Sequence, residues 1–147
     1  MSYKKTFDTA HVFCYAIYTL MKEVINMLKN KENIIRGDIY ITDLGERTGS
    51  HDAVQRGRRP VVVVSNNAAN KFSPAVTIVP LTSSTSKHDL PTHSSFYLNN
   101  HGNDVLNTAL CEQVQTVNVY QLLYCVGSVS PDVMKGIDHS LKVAIGL

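Results

Sequence analysis

The amino-acid sequence predicts a mainly β (α+β) fold with one helix at each end of the chain. Two segments with helical periodicity predict the helices, and short β-branched runs between turn residues predict the strands. The chain has 147 residues, enough for one domain that buries roughly two-thirds of its unfolded surface. We therefore expect a helical extension over residues 1–33 and one folded domain over residues 34–147.

The first helix is predicted between Asp8 and Asn30. Either Asp8 or Thr9 suits its N-cap, and the polar run N-K-E-N ends it. Its apolar residues recur at spacings of three and four: Phe13, Ile17, Leu20, Val24, Met27 and Leu28. So wide an apolar face has to pack on something. We expect it to dock on the folded domain or on a dimer mate; the alternatives are a second partner site and a segment upstream of the true start codon.

Five strand segments are predicted after this helix. They are Ile39–Leu44, Val61–Val64, Val76–Leu81, Ala109–Val117 and Leu122–Val129. The first alternates with a period of two, whereas the second and third are near-continuous apolar runs, typical of strands buried on both faces. The polar segments Gly45–Arg59 and Ser83–His93 are predicted as loops, and loops of this length are usually functional or mobile.

The second helix is predicted at the C-terminal end of the chain. Ser130 suits the N-cap, Pro131 suits the first helical position, and Asp132 complements the positive helix end. Its inner apolar stripe is predicted to consist of Val133, Met134, Ile137, Leu141 and Ile145.

Charge and cysteine content narrow the class of protein. A formal net charge of +2 is too small for a polyanion-binding tail, so any nucleic-acid affinity has to come from local clusters of basic residues.

Cys14, Cys111 and Cys125 lie among apolar neighbours, which predicts three buried thiols in a reducing cytosol. The opening segment lacks the apolar core of a signal peptide, and no run approaches the ~18 apolar residues of a membrane span. We expect a cytoplasmic protein that does not use a membrane.

Two polar features stand out as candidate sites. The run R-G-R-R contains Arg56, Arg58 and Arg59, and the planar arginine fork binds phosphate well. A solvated basic loop is the alternative. Thr82 follows a buried strand and begins a run of hydroxyl residues that includes Ser83. A strand-end turn capped by hydroxyls is the alternative here.

Glu112 and Gln113 interrupt an otherwise apolar segment. Because the side chains of a strand alternate, these two residues are predicted to point to opposite faces, so at most one lies in the core. A hydrogen-bonded polar pair at a sheet edge is the alternative to a ligand site. The sequence contains no H-x-H cluster, paired carboxylates, H-E-x-x-H motif or P-loop. We therefore expect neither a metal nor a cofactor.

Six groups of residues resemble, in sequence and in order, the MazF/PemK mRNA interferases. They are R-G-D-I-Y at Arg36–Tyr40 with the following Asp43 and Leu44, R-R-P-V-V-V-V-S-N at Arg58–Asn66, F-S-P at Phe72–Pro74, L-T-S at Leu81–Ser83, L-P-T-H at Leu90–His93 and E-Q-V-Q-T at Glu112–Thr116. The similarity runs from about Ile35 to Leu147. It implies a small Src-homology-3-like twisted β-barrel of the CcdB/MazF/PemK type, so that residues 34–147 are the toxin domain.

The resemblance also implies an activity and partners. Such toxins are homodimers that cleave single-stranded mRNA without a metal, leaving 2′,3′-cyclic phosphate and 5′-hydroxyl ends. A MazE-like antitoxin inhibits them with a disordered tail across the RNA groove, and they meet DNA only through the antitoxin complex.

The family's motifs place its site residues on this chain. The catalytic arginine precedes the proline of R-P-V and corresponds to Arg59, and the catalytic threonine corresponds to Thr82. Arginine is a poor base, so Arg59 is expected to stabilise transition-state charge and to donate a proton to the leaving oxygen, while Thr82 orients the phosphate. The expected RNA contacts are Arg56, Arg58, Ser83, Glu112 and Gln113, of which Gln113 is favoured because an amide reads base edges.

The sequence departs from the family pattern in its first loop and at its N-terminal end. The first loop has G-S-H-D where many relatives have G-S-E-Q, so His51 stands in place of an acidic residue and is a candidate general base. Asp52, Glu46 and a bound water are the alternatives. The usual family chain also lacks the N-terminal helix.

Two other functions are compatible with such a barrel. One is a non-enzymatic toxin similar to CcdB that poisons DNA gyrase by binding, and the other is a barrel kept only as a protein-binding module. The presence of both Arg59 and Thr82 favours the enzyme.

Overall fold

The computed structural model describes residues 9–31, 34–84 and 90–147. Its helices are α1 (Thr9–Lys31), α2 (Asn67–Phe72) and α3 (Pro131–Ile145). Its strands are β1 (Asp38–Asp43), β2 (Arg58–Val63), β3 (Ala75–Thr82), β4 (His93–Asn100), β5 (Asn103–Leu110), β6 (Gln115–Asn118) and β7 (Leu122–Ser128). Short 3₁₀ helices, Cys111–Gln113 and Val119–Gln121, flank β6. Within these ranges, no helix is both long enough and apolar enough to cross a membrane.

The strands form one curled antiparallel sheet. Its order is β4-β5-β3-β2-β1-β7, and β6 pairs with β3. On the edge away from β2, the first half of β3 pairs with β6, and its end pairs with β5 through Leu81 opposite Ala109 and Thr82 opposite Thr108. This change of partner along one strand curls the sheet into a half-barrel. The predicted fold class, a small twisted barrel with a helix at each end, is confirmed.

Strand β2 lies between two hydrophobic clusters. Val61 and Val63 belong to a cluster with Tyr40, whereas Val62 and Val64 belong to a second cluster with Ile137 of α3. Successive side chains of a strand point to opposite faces, so a strand covered on both sides needs an unbroken apolar run. The prediction that Val61–Val64 is buried on both faces is confirmed, since each of these residues is at most 6% exposed.

Two features of the sheet were not predicted. The β4–β5 hairpin reads as polar in sequence, and its turn depends on His101 and Gly102, which have φ angles of 50° and 87°. The segment Ala109–Val117 was predicted as one strand, which is wrong, because the 3₁₀ helix Cys111–Gln113 separates β5 from β6. Helix α2, capped by the Asn66 side chain, was also missed.

Helix α3 begins as predicted. The Ser130 hydroxyl accepts a 3.3 Å hydrogen bond from the Val133 amide, and Pro131 occupies the first turn. Val133, Met134, Ile137 and Leu141 pack on the second cluster. The prediction for Ile145 is wrong, because Ala144 makes the last contact with the cluster and Ile145 is 60% exposed.

Helix α1 is present, and it contacts the 3₁₀ helix Val119–Gln121. The side chains of Phe13, Ile17, Leu20 and Val24 are exposed in the single chain. Docking of this part of the stripe on its own domain is therefore not observed, and packing on a dimer mate stays a prediction. The side chains of Met27 and Leu28 lie outside the described residues.

The cysteine prediction is correct for one thiol of three. Cys111 is buried, whereas Cys14 and Cys125 are exposed. Cys125 lies on β7, which ends the sheet order, and Cys14 lies on the uncovered part of α1. Apolar sequence neighbours do not bury a side chain on an element that has no partner.

Candidate functional site

The loop between β1 and β2 is closed at its base by backbone hydrogen bonds. The Leu44 amide donates to Gly57 O at 3.1 Å, and the Gly57 amide donates to Gly45 O at 2.6 Å. Gly45 and Gly57 have φ angles of 78° and 75°, a region that side chains disfavour. This closure places the run R-G-R-R at the start of β2, so Arg59 is the second residue of a strand rather than part of the loop.

Asp52 organises the interior of this loop. Its carboxylate accepts hydrogen bonds from the Thr48 amide (3.3 Å), the Val54 amide (3.2 Å) and Arg56 Nε (3.3 Å). The bond from Thr48 contributes most to holding the pKa of Asp52 below its ordinary value. Asp52 and Arg56 are therefore engaged with each other and with the loop backbone.

The two arginines at the start of β2 have different surroundings. Arg58 is exposed and lies opposite Asp43 of β1. Arg59 is half-buried, donates from Nε to Arg56 O at 2.8 Å, and donates from Nη1 to Gln55 Oε1. Burial, followed by the positive charge of Arg47, lowers the pKa of Arg59. A guanidinium that is partly desolvated and fixed in orientation suits charge stabilisation better than a mobile surface arginine.

A polar cleft of about 220 Å³ lies beside Arg59. It is lined by Ala53, Gln55, Thr82, Ser84, His93, Leu110, Glu112 and Gln113. Arg59 reaches the wall of this cleft through its bond to Gln55. Val61 of β2 lies opposite Pro80 of β3, and extending this register by two residues on each strand places Arg59 opposite Thr82. Thr82 therefore lines the cleft, and Arg59, the other residue predicted to be catalytic, is joined to the cleft wall through Gln55.

Glu112 and Gln113 line the same cleft, so the prediction that they point to opposite faces is wrong. They lie in a 3₁₀ helix, where the alternation of a strand does not apply. Gln113 accepts a 2.7 Å hydrogen bond from the Gln55 amide and donates to Ala53 O at 3.3 Å. Its amide thus fastens the end of the β1–β2 loop to the cleft.

His93 is a cleft residue that the sequence prediction missed. Its Nε2 lies 3.0 Å from Oε1 of Glu112, and its side chain is 1% exposed, against 38% for Glu112. His93 ends the motif L-P-T-H, which helped to identify the family but was not assigned a role. The histidine in that motif was the available signal, although its partner lies 19 residues away in sequence.

Two predicted site residues lie elsewhere. Ser83 lines a separate groove of about 550 Å³ between the β4–β5 hairpin and the β1–β7 end of the sheet. His51 is exposed on the β1–β2 loop and is not among the residues that line the polar cleft. In the described part of the chain, no three His, Cys, Asp or Glu residues are grouped closely enough to hold a metal ion.

Comparisons with known proteins show which family this chain resembles. A family model of PemK-like, MazF-like toxins of type II toxin–antitoxin systems matches residues 35–145. The chain is 31% identical over 112 residues to endoribonuclease EndoA of Bacillus subtilis, an alignment that covers 76% of this chain and 94% of that protein.

Solved structures show the same similarity. A mycobacterial endoribonuclease in complex with its cognate antitoxin is 28% identical, with a TM-score of 0.60 and coverage of 78% of this chain and 97% of that one. MazF from Deinococcus radiodurans shares the fold, with 20% identity, a TM-score of 0.61 and coverage of 78% and 97%. Because the family model matches most of its length and the Bacillus subtilis relative is 31% identical, this chain belongs to the family of PemK-like, MazF-like toxins of type II toxin–antitoxin systems.

Proposed function

We propose that residues 34–147 form an endoribonuclease toxin domain that cleaves single-stranded mRNA and is inhibited by a cognate antitoxin. Two similarities support this assignment: the Bacillus subtilis relative is an endoribonuclease, and the mycobacterial structure pairs an endoribonuclease with its antitoxin. The single observation that carries the proposal is the cleft lined by Thr82 and by Gln55, which accepts a hydrogen bond from the guanidinium of Arg59.

The proposed reaction uses the 2′-hydroxyl of the RNA as the nucleophile. Its oxygen bonds to the adjacent phosphorus and loses a proton to a base, while the bond from phosphorus to the 5′-oxygen breaks and that oxygen gains a proton. The products are a 2′,3′-cyclic phosphate and a 5′-hydroxyl. This route needs acid–base groups and positive charge, and it does not require a metal ion.

Arg59 and Thr82 have separate roles in this reaction. Arg59 stabilises the negative charge that develops on the phosphate oxygens and donates a proton to the leaving 5′-oxygen. Its pKa, lowered by burial, makes this donation easier than from an exposed arginine. Thr82 orients the phosphate with its hydroxyl, which in the free protein accepts a 3.2 Å hydrogen bond from the Ser84 amide.

The RNA strand passes over the cleft and the basic start of β2. Arg58, which is exposed, contacts phosphate, and Arg56 adds positive charge beside it while paired with Asp52. Gln113 and Glu112 line the cleft and contact the nucleotides at the cut, and Ser83 contacts a flanking nucleotide from the neighbouring groove.

The toxin acts as a homodimer in the cytoplasm, with residues 1–33 as an extension outside the toxin domain. The family match begins at residue 35, after α1 has ended. The exposed apolar face of α1 supports contact with a second copy. The protein meets DNA only through its antitoxin complex.

The test is cleavage of RNA by the purified protein, with the cut sites mapped by primer extension. We expect cuts at one recurring short motif, cyclic phosphate ends and full activity in excess EDTA. A matched oligonucleotide with a single 2′-deoxy substitution at the scissile nucleotide should resist cleavage. Cutting of that oligonucleotide, or a need for added magnesium, would overturn the mechanism. Intact RNA under all conditions would overturn the enzyme assignment and favour a toxin that acts by binding.

A further inference from the structure

We propose that α1 pairs with α1 of a second copy as a parallel, two-stranded coiled coil in which Leu20 of each helix inserts into a groove of the other. This inference rests on the homodimer of the proposed function and deepens it by naming a surface that joins the two copies. The observation that carries it is a groove of about 260 Å³ on the exposed face of α1, lined by Ile17, Leu20, Met21, Val24 and Ile25.

Four residues of this groove have the spacing of a coiled-coil hole. Ile17, Leu20, Met21 and Val24 stand at positions i, i+3, i+4 and i+7 of the helix, so their side chains lie on one face. In a coiled coil, each core side chain inserts into a hole formed by four residues of the facing helix. An engineered apolar cavity of roughly 150 Å³ already holds a molecule of benzene. The groove therefore has room for one leucine side chain of a partner helix.

The apolar residues along this face also follow the heptad spacing of a coiled-coil seam. Phe13, Ile17, Leu20 and Val24 are separated by four, three and four residues. This spacing places Ile17 and Val24 at the a positions of a heptad, and Phe13 and Leu20 at its d positions. β-branched residues at a with leucine at d favour two parallel strands. The residues of the seam thus indicate a parallel pair of helices.

A second copy of α1 supplies the side chain that the groove needs. In a parallel pair in register, Leu20 of each helix faces the groove of the other, and a two-fold axis relates the two contacts. The residues that line the groove are between 46% and 59% exposed in the single chain, so this surface is available. Lys22 stands at the f position of the heptad, away from the seam, with its ammonium 5.0 Å from the ring centre of Tyr18. Its charge therefore does not face the partner helix.

The pairing adds a contact outside the toxin domain. The family match begins at residue 35, after α1 has ended, and α1 contacts its own domain at the 3₁₀ helix Val119–Gln121. The residues that line the polar cleft all come later in the chain than α1. Joining two chains through α1 raises the effective concentration of one toxin domain near the other. The helix pair thus holds two toxin domains together without contributing to the cleft.

Disulfide trapping tests the parallel register in the full-length protein. Leu20→Cys or Val24→Cys is introduced into the variant Cys14→Ser/Cys125→Ser, and Lys22→Cys is the matched control on the opposite side of the same helix. Thiols that face each other across the seam can reach the ~4.4–6.8 Å separation of Cα atoms that a disulfide requires. Mild oxidation should therefore link both seam variants into dimers at least roughly tenfold faster than Lys22→Cys.

A charge placed in the seam tests the pairing without a new thiol. Leu20→Glu puts a carboxylate from each copy into the seam, whereas Thr19→Glu puts the same charge on the neighbouring exposed residue at the c position. Sedimentation equilibrium should show that Leu20→Glu raises the dissociation constant for self-association roughly tenfold or more, and that Thr19→Glu matches the wild type. Circular dichroism and melting curves confirm that each variant is folded.

Each contrary outcome has a distinct meaning. If Leu20→Cys and Val24→Cys link no faster than Lys22→Cys, or if Leu20→Glu and Thr19→Glu associate equally, the pairing is wrong. Linkage of Val24→Cys only to a copy with Phe13→Cys would show an antiparallel pair and overturn the proposed register. Flotation of the wild type with phosphatidylglycerol vesicles, without cross-linking of the seam variants, would assign the apolar face to a lipid surface. RNA cleavage by the wild type is measured separately, and intact RNA would overturn the proposed function while the helix pairing stands.

Discussion

The side chain of Gln113 binds the backbone of Gln55 with a 2.7 Å hydrogen bond across 58 residues of sequence. Gln55 in turn accepts a hydrogen bond from the guanidinium of Arg59. The 3₁₀ helix between β5 and β6 is thereby connected to the cation at the start of β2. The orientation of Arg59 beside the cleft is therefore linked to Gln113 through Gln55.

The first prediction tests this connection. Gln113→Ala removes the bonds to Gln55 and Ala53, so the end of the loop and Arg59 lose their fixed position. We expect kcat to fall roughly tenfold, which corresponds to the cost of one lost part-buried hydrogen bond. Asn118→Ala, which removes side-chain hydrogen bonds to Tyr120 and Gln121 away from both the cleft and the groove, is the control and should keep kcat. A change confined to KM would show that Gln113 serves RNA binding and not the loop.

The second prediction distinguishes the two adjacent arginines. Arg59→Ala should abolish measurable cleavage, because it removes the fixed charge beside Thr82, with little change in melting temperature. Arg58→Ala should instead weaken RNA binding modestly and reduce its salt dependence, because Arg58 is exposed and contacts phosphate. Single-turnover rates and salt titrations of binding provide both measurements. Equal loss of turnover in the two variants would contradict the assignment.

The third prediction concerns His51. The sequence makes it a candidate base, but it is exposed outside the set of residues that line the cleft. His51→Ala should therefore keep the wild-type rate at every pH tested. A loss of roughly 10²-fold or more, with a flattened pH profile, would restore His51 as the base and require the loop to close over the RNA.

The fourth prediction concerns thiol reactivity. Burial, followed by the charges of Glu112 and Asp138, raises the pKa of Cys111 to about 12. Thiolate is the reactive form, so Cys111 should stay unreactive at neutral and mildly alkaline pH. A disulfide reagent should label Cys14 and Cys125 in the folded protein and reach Cys111 only after denaturation. The double variant Cys14→Ser/Cys125→Ser is the control, and rapid labelling of it would contradict the burial of Cys111.

The fifth prediction concerns residues before Ile34. Their removal should leave cleavage intact, because the cleft is built from residues after β1. If α1 packs on a dimer mate, as the sequence predicts, the truncated protein should melt at a lower temperature, and its Tm should depend less on protein concentration. Calorimetry at several concentrations and sedimentation measure both effects. Identical melting and oligomeric state in the two proteins would exclude packing of α1 on a second copy.

Local sequence patterns were sufficient to predict several elements and motifs of this protein. Residues close in sequence determine the cap of α3 at Ser130, the two-sided burial of Val61–Val64 and the motifs that contain Arg59 and Thr82. Helical and strand periodicities act over a few residues, so a sequence displays them directly. The motifs in their order also identified the family. A sequence pattern does not show which elements pack against a given residue. For this reason Cys125 and Ile145 were wrongly predicted to be buried.

Only the tertiary structure decided how the cleft is assembled. The pairing of His93 with Glu112 joins the start of β4 to the 3₁₀ helix after β5, and the bond from Gln55 to Gln113 joins that helix to the β1–β2 loop. Neither pairing could be predicted from sequence periodicity, because each joins residues that are far apart in the sequence. Both depend on the 3₁₀ turn at Cys111–Gln113, which interrupts an apolar segment that reads as one strand. The turn lies where β3 changes its partner from β6 to β5, and that change of partner is a property of the whole curled sheet.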